Sequence, residues 1–264
     1  MQQQGRDLDD ETPADFMTLM AQQPKGTVAI LAISLLGWLF LAWMAVDMSS
    51  DLAQLTMPDS SRWSAASVLA ILFMWAVMMA AMMLPSALPM ILTFVSVSKR
   101  SGERARAQSF VAAYLLVWFA FSIAATGAQW VLQAAGWVDP MIVSTSALLT
   151  ALLLLIAGVY QLSPLKKVCL AHCRTPMGFL LGEWRPGVNG AFVMGVRHGL
   201  FCLGCCWALM ALLFVGGVMN IAWIAALSVA VAIEKLAPGG HRLATVFGLG
   251  LIAAGIIKLG ALTS

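Results

Sequence analysis

Charge is scarce in this chain. Asp, Glu, Lys and Arg make up only 10% of its 264 residues, against about 25% in a soluble globular domain. With 61% of residues hydrophobic, that scarcity excludes water as the main solvent. A basic segment leading into an apolar core is also lacking at the start. The polar tail, residues 1–26, instead carries Asp7, Asp9, Asp10, Glu11 and Asp15, so no cleavable signal peptide is expected. No internal repeat is visible, which removes support for an inverted-repeat transporter. The five cysteines are an odd number and suit a disulfide framework poorly. The net charge of +3 makes no nucleic-acid surface, because the basic residues fall in short loops. No nucleic-acid partner is expected.

What the chain does have is long apolar runs, several exceeding the roughly 20 residues that span a bilayer. It reads as all-α, a polytopic transmembrane helix bundle of about seven spans over residues 27–264, with the lipid bilayer as its first partner. The expected spans are Thr27–Val46, Trp63–Val95, Phe110–Gln133, Met141–Leu162, a fifth from Ala191 or His198 to Gly217, Asn220–Leu236 and Leu243–Leu262. Ahead of them, Phe16, Met17, Leu19 and Met20 offer either a short interfacial helix or part of a disordered tail. The second span is too long for an upright crossing and holds Pro85 and Pro89, so it must tilt, kink or break. These prolines free carbonyls four residues earlier, including that of Ala81, which then need partners. Loops carrying Lys99, Arg100, Lys166, Lys167, Arg174 and Arg185 fall on one side, while the other keeps only Arg62 and Lys258. Positive charge stays inside, so the N-terminus is predicted cytoplasmic.

Chemistry concentrates at Arg197-His198-Gly199-Leu200-Phe201-Cys202-Leu203-Gly204-Cys205-Cys206. At about 100° per residue, His198, Cys202, Cys205 and Cys206 share one arc of a helix of roughly 100°. Such a face suits a soft metal, although free cysteines also pack well as small apolar residues. The cytoplasmic loop 163–190 adds Cys169, His172 and Cys173. Thiols near the cytosol stay reduced, which favours metal binding or redox work over structural disulfides. Zinc prefers four tetrahedral nitrogen or sulfur ligands, whereas Cu(I) accepts two or three soft ones. Lys166, Lys167, Arg174 and Arg197 favour thiolate nearby or simply mark topology and bind headgroups.

In the second span, Met74, Met78 and Met82 form one row at helical spacing, with Met79 and Met83 beside it. Thioethers bind Cu(I), and they also pack adaptably among small residues. Glu234, beside Lys235, is an acid in an apolar setting and therefore a functional candidate, with Arg197 or Lys235 as expected partners. Gln129, Gln133, Tyr160 and Gln161 suit hydrogen bonds between helices, and Gly195-x3-Gly199 allows close helix approach.

Several of these segments together resemble a known family. They are Met78-Met79-Ala80-Ala81-Met82-Met83-Leu84-Pro85-Ser86, Gln161 through Cys169 and Cys173-Arg174, and His198-Gly199 through Trp207. Phe214 through Asn220 and Glu234-Lys235 belong to the same pattern. The pattern is similar to the bacterial membrane proteins grouped as domain of unknown function 2182. The resemblance implies a metal-binding integral protein of the bacterial inner membrane. The leading expectation is soft-metal handling, with copper as Cu(I) ahead of zinc, and delivery to a membrane enzyme or exchange with a metallochaperone. The expected metal ligands are Cys169, Cys173, Cys202, Cys205, Cys206, His198 and His172, with Met78, Met79, Met82 and Met83 as a transfer row. A membrane thiol redox protein and a non-catalytic accessory subunit of a membrane complex stand as alternatives.

Overall fold

The computed structural model describes residue 18 and residues 20–58, 63–100 and 104–262. Most of the acidic tail, the greater part of the expected interfacial helix, and Arg62 lie outside these. Helices follow in the order α1 (Pro24–Val46), α2 (Asp51–Thr56), α3 (Ala65–Arg100), α4 (Arg104–Ala134), α5 (Ala147–Leu162) and α6 (Pro164–Arg174). The chain continues through α7 (Pro176–Glu183), α8 (Gly187–Ala211), α9 (Leu213–Gly216), α10 (Ile221–Leu236) and α11 (Gly240–Gly260). Among the described residues, extended pairing is confined to two isolated bridges, Val138 with Ser144 and Val143 with Gly216.

Five helical stretches, namely α1, α3, α4, α8 continued through α9, and α11, are long and apolar enough to cross a membrane. The chain is thus a multi-pass membrane protein. A sixth crossing arises only if α5 and α6 count as one span bent by 65°. Seven spans were expected, and the difference lies in α5 and α10, which fall short of that length. The reason is length: α5 and α10 have 16 residues each, about 24 Å at 1.5 Å per residue, and a hydrocarbon core is about 30 Å thick. Ser146 caps α5 at its start, accepting from the Leu149 amide. Ser163 ends α5 and caps α6 through the Lys166 amide, with Pro164 in the first turn of α6, where its missing N–H costs nothing. The polar segment 163–190 accordingly contains two helices, α6 and α7, and both loop cysteines ride on α6.

α3 runs unbroken through Pro85 and Pro89. The carbonyl that Pro85 frees at Ala81 accepts a hydrogen bond from Ser34 Oγ of α1 at 2.6 Å. Gly37 makes that approach feasible, since a Cβ there would lie 2.9 Å from Ala81 Cβ. α4 and α8 come together in the same way. A Cβ on Gly195 would stand 2.3 Å from the Phe110 carbonyl oxygen, and one on Gly199 would stand 2.9 Å from Val117 Cβ.

Polar side chains then lock the helices in register. Trp75 Nε1 donates to Gln129 at 3.0 Å and Trp63 Nε1 to Gln133 at 3.2 Å. The Tyr160 hydroxyl donates to the Gly204 carbonyl. Glu234 pairs with Lys166 of α6 at 2.6 Å, and Gln161 donates to its other oxygen at 2.6 Å. Its expected partners, Arg197 and Lys235, are otherwise engaged. Arg197 pairs with Glu183, and Lys235 turns to sulfur. The physical reason is that α6 folds back across α10, which puts a lysine directly over the carboxylate.

Two stability predictions follow from these contacts. Gly195→Ala must push α4 off α8, an overpacking penalty of about 1–3 kcal/mol. Gly127→Ala on the same α4 meets nothing within 4 Å among the described residues and should add about 0.5–1 kcal/mol. Unfolding in mixed micelles should separate the two; equal effects would remove the close-packing argument. Glu234→Gln should cost about 3–5 kcal/mol by stranding the Lys166 charge, and adding Lys166→Met should recover most of it. A double variant as unstable as the single would show that the pair does not anchor α6.

Candidate metal centre

α8 is the scaffold of the site. His198, Cys202, Cys205 and Cys206 all lie on its buried face, and α3, α4, α6 and α10 bring side chains to it. Cys202 Sγ is met by the Lys235 ammonium at 3.0 Å and the Tyr114 hydroxyl at 3.1 Å. Lys235 also donates to Ser86 Oγ at 3.2 Å and lies 4.0 Å from Met83 Sδ. Cys206 Sγ stands 3.9 Å from Met83 Sδ, and Cys205 Sγ stands 3.9 Å from Cys173 Sγ of α6. The Cys205 and Cys206 thiols both donate back to the Cys202 carbonyl at 3.0 Å. One helix thus presents three thiols to three different surroundings.

Local structure explains the approach of each partner. Met83 and Ser86 lie about one helical turn apart on α3 and so meet on one face. The Met83 carbonyl accepts from Ser86 Oγ at 3.0 Å and from the Tyr114 hydroxyl at 3.3 Å. Lys235 occupies the last turn of α10, where a cation suits the negative end of the helix dipole. Pro238 follows the helix end and prevents its extension. Lys235 is 5% exposed, so its charge is matched inside the protein rather than by water.

The cysteines of α6 do meet those of α8. Besides the Cys173–Cys205 contact, Cys169 Sγ sits where a Cβ on Gly204 would come within 2.8 Å. Only glycine at 204 leaves that sulfur its room. Cys169 also lines an apolar groove of about 430 Å³ with Tyr160, Leu203 and Trp207. His172 is half-buried, its ring stacked on Phe201 at 4.2 Å and its Nδ1 against the Val168 carbonyl at 2.9 Å. His198 is buried among aromatic rings, stacked with Phe110 and Tyr114 and edge-on to Phe179.

The methionine row divides. Met83 touches the thiol and ammonium groups, whereas Met78, Met79 and Met82 are buried as core residues. Among the described residues, no three His, Cys, Asp or Glu side chains surround a common metal position. The sulfur contacts are pairwise, and a thioether completes them. Lys235, Tyr114 and Ser86 were missed as neighbours of the cysteines. A lysine and a tyrosine inside apolar runs were the available signals, each needing a buried partner.

No curated protein and no solved structure matches the chain. A family profile does match, over residues 72–258, more than half of the sequence. That stretch runs from α3 into α11 and contains every cysteine together with Met83, Tyr114, His198 and Lys235. Where the motifs suggested a metal-binding family without an assigned role, this match names the metal: the chain belongs to the family described as PpoB2, a copper chaperone.

Proposed function

We propose that this protein binds Cu(I) as cargo within a cytoplasmic membrane and hands it to a copper-using enzyme or a second chaperone. The observation that carries the reading is the meeting of Cys173 on α6 with Cys205 on α8, 3.9 Å apart. At a thiolate–metal bond of about 2.3 Å, that separation subtends about 115° at a shared ion, close to a three-coordinate angle. Copper(I) is satisfied by two or three soft ligands and zinc asks for four, so pairs of thiols with a thioether favour copper. Cys173, Cys205, Cys206, Cys202 and Met83 are the proposed ligand set. Lys235 supplies the positive charge that a thiolate at Cys202 requires in an apolar interior. Cys169 and His172 border the set, and Met78, Met79 and Met82 form its packed wall.

The proposed orientation keeps the N-terminus and the basic α6–α7 segment on the cytoplasmic side, by the excess of Lys and Arg there. In a bacterium that membrane is the inner one. The same Cys173–Cys205 contact supports a second reading, a thiol pair that is reversibly oxidised, since both sulfurs are within easy reach of bonding distance.

The test is metal content of the full chain, purified anaerobically in detergent and loaded with Cu(I) or Zn²⁺. Wild type should retain copper in preference to zinc, and Cys202→Ser with Cys205→Ser and Cys206→Ser should lose it while still inserting. A wild type that takes up no Cu(I), or a triple variant that keeps it all, would overturn the reading. A cross-link between Cys173 and Cys205 that forms under mild oxidation, with no copper bound to the reduced protein, would establish the redox alternative.

A further inference from the structure

His198 is 2% exposed, yet among the described residues neither its Nδ1 nor its Nε2 has a hydrogen-bond partner. A neutral imidazole carries one donor and one acceptor, and burying both unpaired is unfavourable. The ring is not loose. Phe110 and Tyr114 stack on it at 5.9 and 5.5 Å, and Phe179 meets it edge-on at 5.7 Å. Aromatic contacts therefore fix the ring while its nitrogens go unused, as a metal ligand held ready would require. Tyr114 links it to the thiols, since the same side chain bonds Cys202 Sγ at 3.1 Å.

The sequence spacing adds a second observation. Met194, His198, Cys202 and Cys206 recur every four residues along α8, and all four are buried. Side chains four apart are neighbours on a helix, with Cβ atoms about 5–6 Å apart. Met194 stands one turn before His198, and its sulfur receives a weak contact from the Arg185 amide at 3.4 Å. A thioether and an imidazole both suit Cu(I).

We infer that Met194 and His198 form a second copper station, one helical turn from Cys202, leading between the thiol cluster and the α7–α8 end of the bundle. This deepens the copper reading and rests on it. Copper would pass by ligand exchange along α8 with no change of oxidation state: each new Cu–S or Cu–N bond forms as the previous one breaks.

The experiment compares full-length wild type with His198→Phe and with Met194→Leu, each loaded anaerobically with excess Cu(I). X-ray absorption reads the ligand shell, and copper per protein is counted. Phenylalanine fits the aromatic box and removes both unpaired nitrogens; leucine keeps the volume at 194 and removes the sulfur. Wild type should show a nitrogen shell beside sulfur and hold one more copper than His198→Phe, which should show sulfur alone. Met194→Leu should keep the nitrogen shell but release that extra copper faster to a Cu(I) chelator. Identical copper counts and spectra in wild type and His198→Phe, with thiol-bound copper in both, would overturn this station and leave the thiol cluster standing. No copper in wild type would overturn both.

Discussion

A buried charge must find its partner inside the protein, and this constraint organises the bundle. Moving an ammonium from water into an apolar interior costs several kcal/mol even after relaxation. Two buried lysines meet the demand differently. Lys166 takes the Glu234 carboxylate at 2.6 Å, which in turn receives Gln161. Lys235, the next residue after Glu234, points into another environment and ends on Cys202, Ser86 and Met83. Adjacent residues on α10 therefore serve as a fastening for α6 and as the charge at the centre of a sulfur cluster. Because Lys235 reaches α3 and α8 together while Tyr114 joins from α4, four helices converge on one thiol.

Much of this fold was legible in the sequence because its signals are local. Apolar runs marked the long helices, Pro85 announced an orphaned carbonyl at Ala81, and Ser34 supplies its partner. The glycines at 195 and 199 announced a close neighbour, which is α4. Gln129, Tyr160 and Gln161 bond across helices and Gln133 bonds Trp63 just ahead of α3, as amides and hydroxyls in apolar surroundings must. The lengths of α5 and α10 were not legible, since both are as apolar as the longer helices and differ in where capping residues stop them. The partner of Glu234 was not legible either. Sequence neighbours suggested Lys235 or Arg197, but the fold-back of α6 decides the pairing, and that is a tertiary fact.

The site divides along the same line. Three thiols and a histidine on one face of α8 follow from helical periodicity alone, and the structure buries all four. Which of five conspicuous methionines would touch a thiol could not be read from their spacing. Met83 does so because its place on α3 faces α4, α8 and α10, where its carbonyl accepts from Tyr114 and Ser86; Met78, Met79 and Met82 are packed in the core. Small residues have an equal part. Gly204 leaves space for Cys169, so α6 can lie against α8 without displacing the cysteines beneath it.

What sets the distance between Cys173 and Cys205 is charge rather than sulfur. A thiol is a weak donor and a weak acceptor, and a contact of 3.9 Å contributes too little to hold a helix of 11 residues in place. The anchors of α6 lie near its two ends. Lys166 bonds Glu234 in the first turn, and Arg174 in the last donates to the Glu234 and Ala237 carbonyls at 2.8 Å each. Charge-assisted bonds of this kind are the stronger class, and here both engage the C-terminal turn of α10. α6 is thus pinned over a helix that also carries Lys235, and Cys173, on the last turn of α6, is delivered to Cys205 as a consequence. The spacing that would let two thiols share an ion is inherited from an ion pair that touches neither.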